Sequence, residues 1–398
     1  MRLQGKRIVL GLTGGIACYK SAELCRRLMD QGATVTVVMT EAATHFITPT
    51  TMQALSGQAV FTQTQDARMA NSMAHINLSR QADLIIIAPC SADFMAKLGN
   101  GFADDLLSTL CLARGNCPLA IAPAMNKEMW SNPATQRNLD RITQDGIAVW
   151  GPGHGSQACG EFGDGRMLEV PQLIAETLAF FSTKYLLNKK ILITAGPTEE
   201  PIDPVRVITN KSSGKMGYAI AEAAFNAGAS VYMVSGPTQL ATPYGVTTEF
   251  VNTAREMYQA VMKQVYDSDI FISVAAVADW YVSNYSDQKQ KKQHQDGLKL
   301  EFAPNPDILA EVAALDNGPW CVGFAAETEN LSDYAQAKRK RKNVPLLVGN
   351  LAQNVMNADE TTMILFDEHG EEPLPTTSKT LAAQYLIQAI AKRLPSIK

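Results

Sequence analysis

The stretch ILITAGPTEEPIDPVRVITNKSSGKMGYAIAEAAFNAGASVYMVSG, residues 191–236, decides the fold of the second half of the chain. Its β-branched start, 191–194, predicts a short buried strand. A helix is expected from about Ser213, because small and apolar residues then recur on one helical face and Gly228 can end it. Residues 231–234 predict a second buried strand. The stretch is therefore a βαβ unit.

The connection between its first strand and its helix, residues 197–215, is unusually long. A βα connection normally needs about 2 to 6 residues, and longer polar connections usually carry function. Within it, SSGKMG resembles a phosphate cradle, since small residues let backbone N–H groups approach an anion at a helix N-terminus. A flexible surface loop is the alternative, but three prolines, at positions 197, 201 and 204, favour order.

The first half repeats this pattern. Residues 7–12 predict a strand, TGG a tight turn and 16–29 a helix, and DQGATVTVVMT resembles NAGASVYMVSG of the second half. The fold class is thus α/β with two doubly wound, Rossmann-like domains, each binding ligands at the carboxyl ends of its strands. One larger sheet fits the 398 residues less well. The polar joint after a helix at 173–181 predicts domains at 1–187 and 188–398.

Composition excludes several classes of protein. The chain is 46% hydrophobic and 19% charged with a net charge of −4, so it has no long-range attraction for nucleic acid or an anionic membrane. Its longest apolar runs are too short to span a membrane. Seven cysteines without a CxxC pair favour reduced thiols in the cytoplasm.

The glycine turn of the first half predicts a mononucleotide site. TGGIACYKS is too short for the dinucleotide fingerprint GxGxxG, so one phosphate at a helix start, as in FMN, fits better. PCSAD, after a strand at 84–88, places small polar groups where the cofactor phosphate or ribityl chain could bind. The predicted FMN contacts are Gly14, Gly15, Ile16, Thr40 and Ser91.

Three residues of the first half are candidates for chemistry. They are His75 in AHINLSR, Asn126 in PAMNKEMW and Cys159 in SQACGEFGDGRM. Each also has a structural interpretation, as a solvent-facing histidine, a helix cap and a packing thiol. The glycines around Cys159 favour a mobile lid.

The second half places polar residues near predicted strand ends. Asp279 follows a strand at 270–274, and APNPDI predicts a helix start with Asn305 as its cap and Pro306 at the first helical position. A lysine-rich loop at 286–297 is normally solvated surface. Lys338 and Lys342 share one helical face, and the acidic net charge favours a triphosphate over nucleic acid as their partner.

In combination, these motifs identify a family. GGIACYK, HINL, PAMNKEMW and ACGEFGDGRM resemble FMN-dependent cysteine decarboxylases, and GPTEEPIDPVRVITNKSSGKMG resembles phosphopantothenoylcysteine synthetases. Their order resembles the bacterial bifunctional phosphopantothenoylcysteine decarboxylase/phosphopantothenate–cysteine ligases of coenzyme A biosynthesis, over essentially the whole chain. The resemblance implies a flavodoxin-like decarboxylase domain followed by a CTP-dependent ligase domain.

The resemblance also implies roles for residues. His75 is the active-site histidine, Asn126 holds the substrate carboxylate and Cys159 donates a proton. In the ligase half, Lys289 acts at the reacting carboxylate and the nucleotide phosphate, and Asn210 binds the acyl intermediate. Nucleotide contacts are implied at Asp279, Lys289, Asn305, Pro306, Asp307, Ile308, Phe324, Lys338 and Lys342. Where Gln290 stands, the family more often has an apolar residue.

The implied reactions join and then shorten one substrate. CTP activates 4'-phosphopantothenate as an acyl-cytidylate, L-cysteine displaces CMP, and FMN-dependent oxidation permits loss of CO2. Mg2+ is expected on the triphosphate, with unknown ligands, and trimeric decarboxylase and dimeric ligase units are expected to form a dodecamer. A flavin-free scaffold, a nicotinamide oxidoreductase and a peptide-cysteine decarboxylase are the alternatives. The last leaves the second half unexplained.

Overall fold

The computed structural model describes residues 2–64, 73–290, 299–327, 331–351 and 360–395. Contacts along the chain divide it into two units, Met1–Phe181 and Ser182–Lys398. Each unit is built on a sheet of mainly parallel strands. The α/β fold with two doubly wound halves, predicted from the sequence, is confirmed.

The sheet of the first unit has five strands in the order β2-β1-β3-β4-β5, all parallel. This is the flavodoxin-like order, in which the chain reverses its winding direction between β1 and β3. The strands are β1 (Arg7–Leu12), β2 (Thr34–Met39), β3 (Leu84–Cys90), β4 (Leu119–Pro123) and β5 (Ala148–Val149). Every residue of β3 is buried, as expected for a strand covered by helices on both faces.

The remaining elements of this unit surround the sheet or extend from it. A hairpin of β6 (Gly153–Ser156) and β7 (Phe162–Arg166) projects beyond β5. The helices are α1 (Cys18–Asp30), α2 (Glu41–Thr44), α3 (Pro49–Ser56), α4 (Ala74–Gln81), α5 (Ala92–Asn100), α6 (Leu106–Leu112), α7 (Lys127–Ser131), α8 (Pro133–Gln144) and α9 (Val170–Phe181).

The second unit has an eight-stranded sheet in which six parallel strands are followed by two antiparallel ones. Its order is β12-β11-β8-β13-β16-β17-β19-β20, so the winding reverses between β8 and β13. These strands are β8 (Lys190–Ala195), β11 (Ser230–Ser235), β12 (Val246–Phe250), β13 (Ile270–Ser273), β16 (Trp320–Glu327), β17 (Leu346–Leu351), β19 (Ile364–Asp367) and β20 (Gly370–Pro373).

Helices cover both faces of this sheet. The small residues of α10 and the apolar residues of α14 pack together on one face, and α11, α12 and α13 lie on the other. The helices are α10 (Lys215–Asn226), α11 (Ala254–Gln264), α12 (Ile308–Ala313), α13 (Leu331–Lys342) and α14 (Lys379–Arg393), with a 3₁₀ turn at Val265–Asp267.

The long connection at residues 197–215 is ordered, as its three prolines predict, and it contains strands that the sequence did not predict. It contains an antiparallel ribbon of β9 (Glu199–Pro201) and β10 (Val207–Thr209), and similar short pairs occur at β14 (Trp280–Val282) with β15 (Phe302–Pro304) and at β18 (Glu360–Thr361) with β21 (Thr377–Ser378). Three-residue strands give too little alternation to be recognised from a sequence.

The start of this connection requires a glycine on the neighbouring strand end. A Cβ atom at Gly236 would lie 1.6 Å from the carbonyl oxygen of Pro197. The Gly236 N–H meanwhile donates to the Ala195 carbonyl at 2.9 Å. Any side chain at position 236 would therefore displace the loop that leaves β8.

The segment before β8 belongs physically to the second unit. Leu186 is 1% exposed and packs in the core formed by the sheet, α10 and α14. Its N–H donates to the Ala227 carbonyl at 3.0 Å, and Lys184 Nζ donates to the Asn226 carbonyl at 3.0 Å. The functional boundary at residues 187 and 188 stays a prediction.

We expect a fragment of residues 182–398 to be more stable than one of residues 188–398. The shorter fragment lacks Leu186, and burying one leucine side chain contributes about 2 to 3 kcal/mol to the free energy of unfolding. Urea unfolding followed by circular dichroism measures the difference. Equal midpoints for the two fragments would show that the 182–187 segment adds nothing to this core.

Candidate active sites

The first unit has a cavity of about 580 Å³ at the carboxyl ends of β1, β3 and β4. It lies where the winding of the sheet reverses, the usual ligand position in such folds, and its volume is within the range of small-molecule sites. It is lined by Gly14, Gly15, Ile16, Ala17, Tyr19, Lys20, Ser91, Ala92, Ala124, Met125, Asn126, Met129, Ser156, Gln157, Ala158, Cys159, Gly165, Arg166 and Met167.

Hydrogen bonds fix the two loops at the floor of this cavity. The Thr13 hydroxyl donates to the Pro89 carbonyl at 2.8 Å and accepts from the Ser91 N–H at 2.9 Å. Ser91 also caps α5, with its hydroxyl accepting from the Phe94 N–H at 3.2 Å. A Cβ atom at Gly15 would meet nothing within 4 Å, so the turn before α1 is open to a ligand.

Four of the five predicted cofactor contacts line this cavity, and Thr40 does not. The Thr40 side chain is 9% exposed and caps α2, with its hydroxyl accepting from the Ala43 N–H at 3.3 Å. Its role in cofactor binding stays a prediction.

The β6–β7 hairpin forms a flap over the cavity and brings Cys159 to Asn126. Asn126 Nδ2 donates to Cys159 Sγ at 3.4 Å, and Asn126 Oδ1 accepts from the Glu128 N–H at 2.8 Å as the cap of α7. The helix-cap interpretation of Asn126 is thus correct and compatible with a functional role. Cys159 is exposed, whereas the other six cysteines are buried, so its interpretation as a packing thiol is wrong.

Hydrogen bonds join the flap to residues 125 and 127, at the start of α7. The Lys127 N–H donates to Gln157 Oε1 at 3.0 Å, and the Met125 N–H donates to the Gly165 carbonyl at 2.9 Å. Gly165 has φ +126°, and a Cβ atom there would lie 2.4 Å from the Met125 carbonyl oxygen. This glycine therefore permits the close approach of the flap to the loop before α7.

Lys20 supports the base of the flap. Its side chain is 8% exposed, and its Nζ donates to the Met167 carbonyl at 3.1 Å and to Glu169 Oε1 at 2.8 Å. The Lys20 hydrogen bond, opposed by partial burial, holds the pKa of Glu169 below its usual range. The α1 helix is thereby joined to the chain that leaves β7.

His75 lies on α4. It is not among the described residues that line this cavity. Its Nδ1 is buried and has no hydrogen-bond partner in the described part of the chain. The histidine as a whole is half-buried. Its catalytic role stays a prediction.

The second unit has a cavity of about 300 Å³ at the carboxyl ends of β8, β13, β16 and β17. Like the first, it lies at the reversal of winding. The N-terminus of α10 points into it through the predicted phosphate cradle. It is lined by Gly196, Lys211, Ser212, Ser213, Gly214, Lys215, Met216, Gly217, Val274, Ala275, Ala276, Val277, Phe324, Ala325, Asn350 and Lys379.

This cavity suits an anion. The 12-residue helix α10 directs the positive end of its dipole there, and Gly214, with φ +74°, turns the chain into it. Lysines 211, 215 and 379 add positive charge. Asn350 and Lys379 lie far along the chain from the cradle, and sequence reasoning did not identify either of them.

A second polar cluster lies beside Phe324. Lys342 contacts the Asp307 carboxylate, and Lys338 Nζ donates to the Phe324 carbonyl at 3.2 Å. Partial burial lowers the pKa of Lys342, and the Asp279 carboxylate opposes that shift. Six of the residues predicted to contact nucleotide are thus connected beside β13 and β16, namely Asp279, Asn305, Asp307, Phe324, Lys338 and Lys342.

The predicted cap of α12 is wrong. Asp307 caps this helix, with its carboxylate accepting from the Ala310 N–H at 3.1 Å. Asn305 instead donates through Nδ2 to the Ala278 carbonyl at 3.0 Å, and its N–H donates to the Asp279 carbonyl at 2.9 Å. Pro306 therefore precedes the cap. The side chain of Ile308 is buried in the core, so only its main chain can meet a ligand.

Asn210 and Lys289 lie on exposed loops. Asn210 Nδ2 donates to the Ala276 carbonyl at 3.0 Å, beside the second cavity. The loop of Lys289 is attached through its neighbour Gln290, whose N–H donates to Asp203 Oδ2 at 3.2 Å. The part of this loop at 291–298 is outside the described residues.

Asp203 is the centre of that attachment. Its side chain has no exposed area, and its carboxylate accepts from Arg206 Nε at 3.0 Å and from the N–H groups of Val205 and Arg206, each at 2.9 Å. Arg206 Nη2 donates in turn to the Gln290 carbonyl at 3.2 Å. The Arg206 hydrogen bond holds the pKa of Asp203 well below its usual range.

The described residues contain neither a candidate membrane span nor a cluster of potential metal ligands. No helix among them is long and apolar enough to cross a membrane. Nor do those residues include a group of three or more histidine, cysteine or acidic side chains that could hold a metal ion.

Comparison with known proteins identifies the family. The Flavoprotein family model matches residues 1–182, and the DNA/pantothenate metabolism flavoprotein C-terminal domain model matches residues 186–394. A coenzyme A biosynthesis bifunctional protein CoaBC of Vibrio cholerae is 49% identical over 397 residues, covering 98% of this chain and 99% of the relative. The chain belongs to this family.

Other members are similarly close. The CoaBC protein of Escherichia coli strain K12 is 48% identical and covers 99% of this chain and 98% of its own length. A crystal structure of the C-terminal domain of a CoaBC protein is 38% identical, with a TM-score of 0.46, and covers 53% of this chain and 97% of its own. The family predicted from the motifs is confirmed, and the chain is a bifunctional enzyme of coenzyme A biosynthesis.

We expect Asp203→Asn to slow the ligase reaction about tenfold to a hundredfold, because small displacements of catalytic groups have effects of that order. The amide cannot satisfy Arg206 and three N–H groups as the carboxylate does. Since the folded-state pKa is lowered, the stabilisation by Asp203 is present above its unfolded pKa and is lost as the pH falls through the folded value.

Initial rates of amide formation measure this effect. Asp287→Asn, which changes an exposed carboxylate on the same loop as Lys289, is the matched control and should be close to wild type. Wild-type rates for Asp203→Asn would show that the loop of Lys289 is held by other contacts.

Proposed function

We propose that the chain catalyses two consecutive steps: ligation of L-cysteine to 4'-phosphopantothenate with CTP, and FMN-dependent decarboxylation of the resulting 4'-phosphopantothenoylcysteine to 4'-phosphopantetheine. One observation carries this proposal. Each of the two units has a cavity at its own reversal of winding, one beside the Asn126–Cys159 pair and the other at an anion cradle. The functional domains are residues 1–187 and 188–398.

The residues of the first cavity fit FMN. The open turn at Gly15 and the start of α1 suit its phosphate, and the exposed apolar side chains of Ile16 and Met129 can border a flat ring. When bound, FMN supplies the oxidation of the substrate's thiol-bearing carbon and the later return of the electrons, which makes loss of CO2 possible.

The chain supplies binding and a proton. The Asn126 amide is placed to donate a hydrogen bond to the substrate carboxylate, because its oxygen is already used in capping α7. The flap brings the Cys159 thiol beside the same amide. In its protonated form, this thiol can donate a proton to the enethiolate left by CO2. His75 is proposed as the active-site histidine.

In the second unit, the cavity at α10 and the cluster beside Phe324 suit the two anionic substrates. The carboxylate of 4'-phosphopantothenate attacks the α-phosphorus of CTP, which releases diphosphate and forms an acyl-cytidylate. The cysteine amine then displaces CMP. The ammonium of Lys289 stabilises the negative charge at the reacting carboxylate and phosphate, and Asn210 holds the acyl group. Mg2+ on the triphosphate neutralises charge, and no residue is assigned as its ligand.

Assembly and location are further parts of the proposal. Large apolar side chains are exposed in both units, among them Tyr19 and Phe162 in the first and Trp280 and Phe302 in the second. Such side chains suit contacts between subunits. Trimeric decarboxylase units and dimeric ligase units, joined into a dodecamer, are proposed from the family resemblance. Seven free cysteines suit the reducing cytoplasm.

A coupled assay tests both reactions. The chain, loaded with FMN, is given 4'-phosphopantothenate, L-cysteine, Mg2+ and either CTP or ATP, and CMP or AMP, CO2 and products are measured. We expect CTP to support product formation, whereas Lys289→Gln should lose about 3 kcal/mol of transition-state stabilisation in ligation and still decarboxylate supplied 4'-phosphopantothenoylcysteine. Product formation with ATP alone would contradict the nucleotide assignment.

We expect Cys159→Ser to release CO2 and then fail to finish the reaction. Serine preserves size, but a hydroxyl is a far weaker acid than a thiol and a poor proton donor. One equivalent of an oxidised, decarboxylated enethiol should therefore accumulate in a single anaerobic turnover, measured by product mass. If the variant forms 4'-phosphopantetheine at the wild-type rate, the proton comes from another group.

A further inference from the structure

The Asn126 amide already holds a carboxylate that belongs to the chain itself. Asn126 Nδ2 donates to Glu161 Oε2, from the tip of the flap. The orientation of the amide is set by its other end, because Oδ1 accepts from the Glu128 N–H at 2.8 Å. The N–H₂ group must then face the flap and the cavity.

Glu161 also contacts the thiol. Cys159 Sγ lies 3.5 Å from Glu161 Oε2 and 3.4 Å from Asn126 Nδ2, so the three side chains form a closed triangle. A substrate carboxylate bound to Asn126 would take the place that Glu161 occupies. Two carboxylates at one amide repel each other, and the half-buried position of Glu161 makes that repulsion harder to screen.

Exchange of the two carboxylates does not require the flap to open. Gln157 Oε1 and the Gly165 carbonyl accept from the Lys127 and Met125 N–H groups, so these hydrogen bonds hold the flap without the Glu161 side chain. Glu161 can therefore leave Asn126 while the hairpin stays in place. Its side chain has rotatable bonds enough to turn toward solvent.

We propose that Glu161 is an internal competitor that occupies the substrate-carboxylate position at Asn126 and must be displaced by a ligand carrying its own carboxylate. This inference rests on the proposed decarboxylase function. A substrate carboxylate replaces Glu161 at the Asn126 amide, whereas a ligand without a carboxylate leaves Glu161 in place.

The same exchange restores the free site after the reaction. Once CO2 has left, the bound molecule no longer has the group that displaced Glu161, and the Glu161 carboxylate returns to Asn126. Glu161 thus weakens the binding of the substrate, which must displace it, and leaves the binding of the product unchanged.

Two unreactive ligands that differ by one carboxylate test this role. In the alanine analogue of 4'-phosphopantothenoylcysteine, hydrogen replaces the thiol, and the matching ethylamide also lacks the carboxylate. Calorimetry gives the Kd of each for the full-length, FMN-loaded chain. We expect Glu161→Gln to bind the alanine analogue about threefold to tenfold more tightly, because the competing charge is removed, with the Kd of the ethylamide unchanged.

Two further variants complete the experiment. Glu161→Asp keeps the charge and should restore weak binding of the alanine analogue toward the wild-type value. Glu128→Gln changes a carboxylate that is 73% exposed on the neighbouring helix and should alter neither Kd. A merely structural role of Glu161 would weaken both ligands together in Glu161→Gln, and that result, or an unchanged ratio of the two Kd values, overturns the inference.

Release of CO2 from 4'-phosphopantothenoylcysteine by the same wild-type preparation tests the decarboxylase function separately from the role of Glu161. If wild type releases CO2 and the ratio of Kd values is unchanged in Glu161→Gln, only the role of Glu161 is wrong. If wild type releases no CO2 and binds neither analogue, both the decarboxylase assignment and the inference fail.

Discussion

Parallel pairing of β1 with β3 and of β8 with β13 is the constraint on which both sites depend. Each pair lies where the winding of its sheet reverses, so the connections leaving the two strands diverge to opposite faces. The crevice between them is lined by main-chain N–H groups and by side chains from distant parts of the chain. Both cavities open there because the carboxyl ends of parallel strands lie at one edge of a sheet.

In the cavity of the first unit, different contacts hold the floor and the flap. Thr13, Ser91 and the buried strands fix the floor, whereas the flap is held by a few hydrogen bonds around α7. Asn126 serves both parts, since its oxygen caps a helix and its nitrogen faces the flap. Because capping α7 fixes the orientation of the Asn126 side chain, its amide nitrogen is directed at a carboxylate, that of Glu161.

The ligase site depends on an internal ion pair in a comparable way. Arg206 and backbone N–H groups surround Asp203, and the same pair holds Gln290 and thus the loop of Lys289. A buried carboxylate is stable only when its lone pairs are satisfied. The polar connection after β8 is therefore ordered by its own charges, and this order extends to a loop more than 80 residues further along the chain.

The sequence by itself determined the elements and their periodicity. Buried strands such as β1 and β8, the helix stop at Gly228 and the two repeated βαβ units follow from local hydrophobic pattern and glycine chemistry, and motif order was enough to identify the family. It also indicated Asn126 and Cys159 as candidates, because each stands in a distinctive short motif.

Only the tertiary structure decided which residues meet. Glu161 at Asn126, Asn350 and Lys379 at the α10 cradle, and Gln290 at Asp203 are contacts between segments that local periodicity cannot relate. The observed cap of α12 is Asp307 and not the predicted Asn305 for the same reason, because Asn305 donates to the distant carbonyl of Ala278. Local propensity gives a residue several acceptable partners, and the packing of the sheet connections selects one.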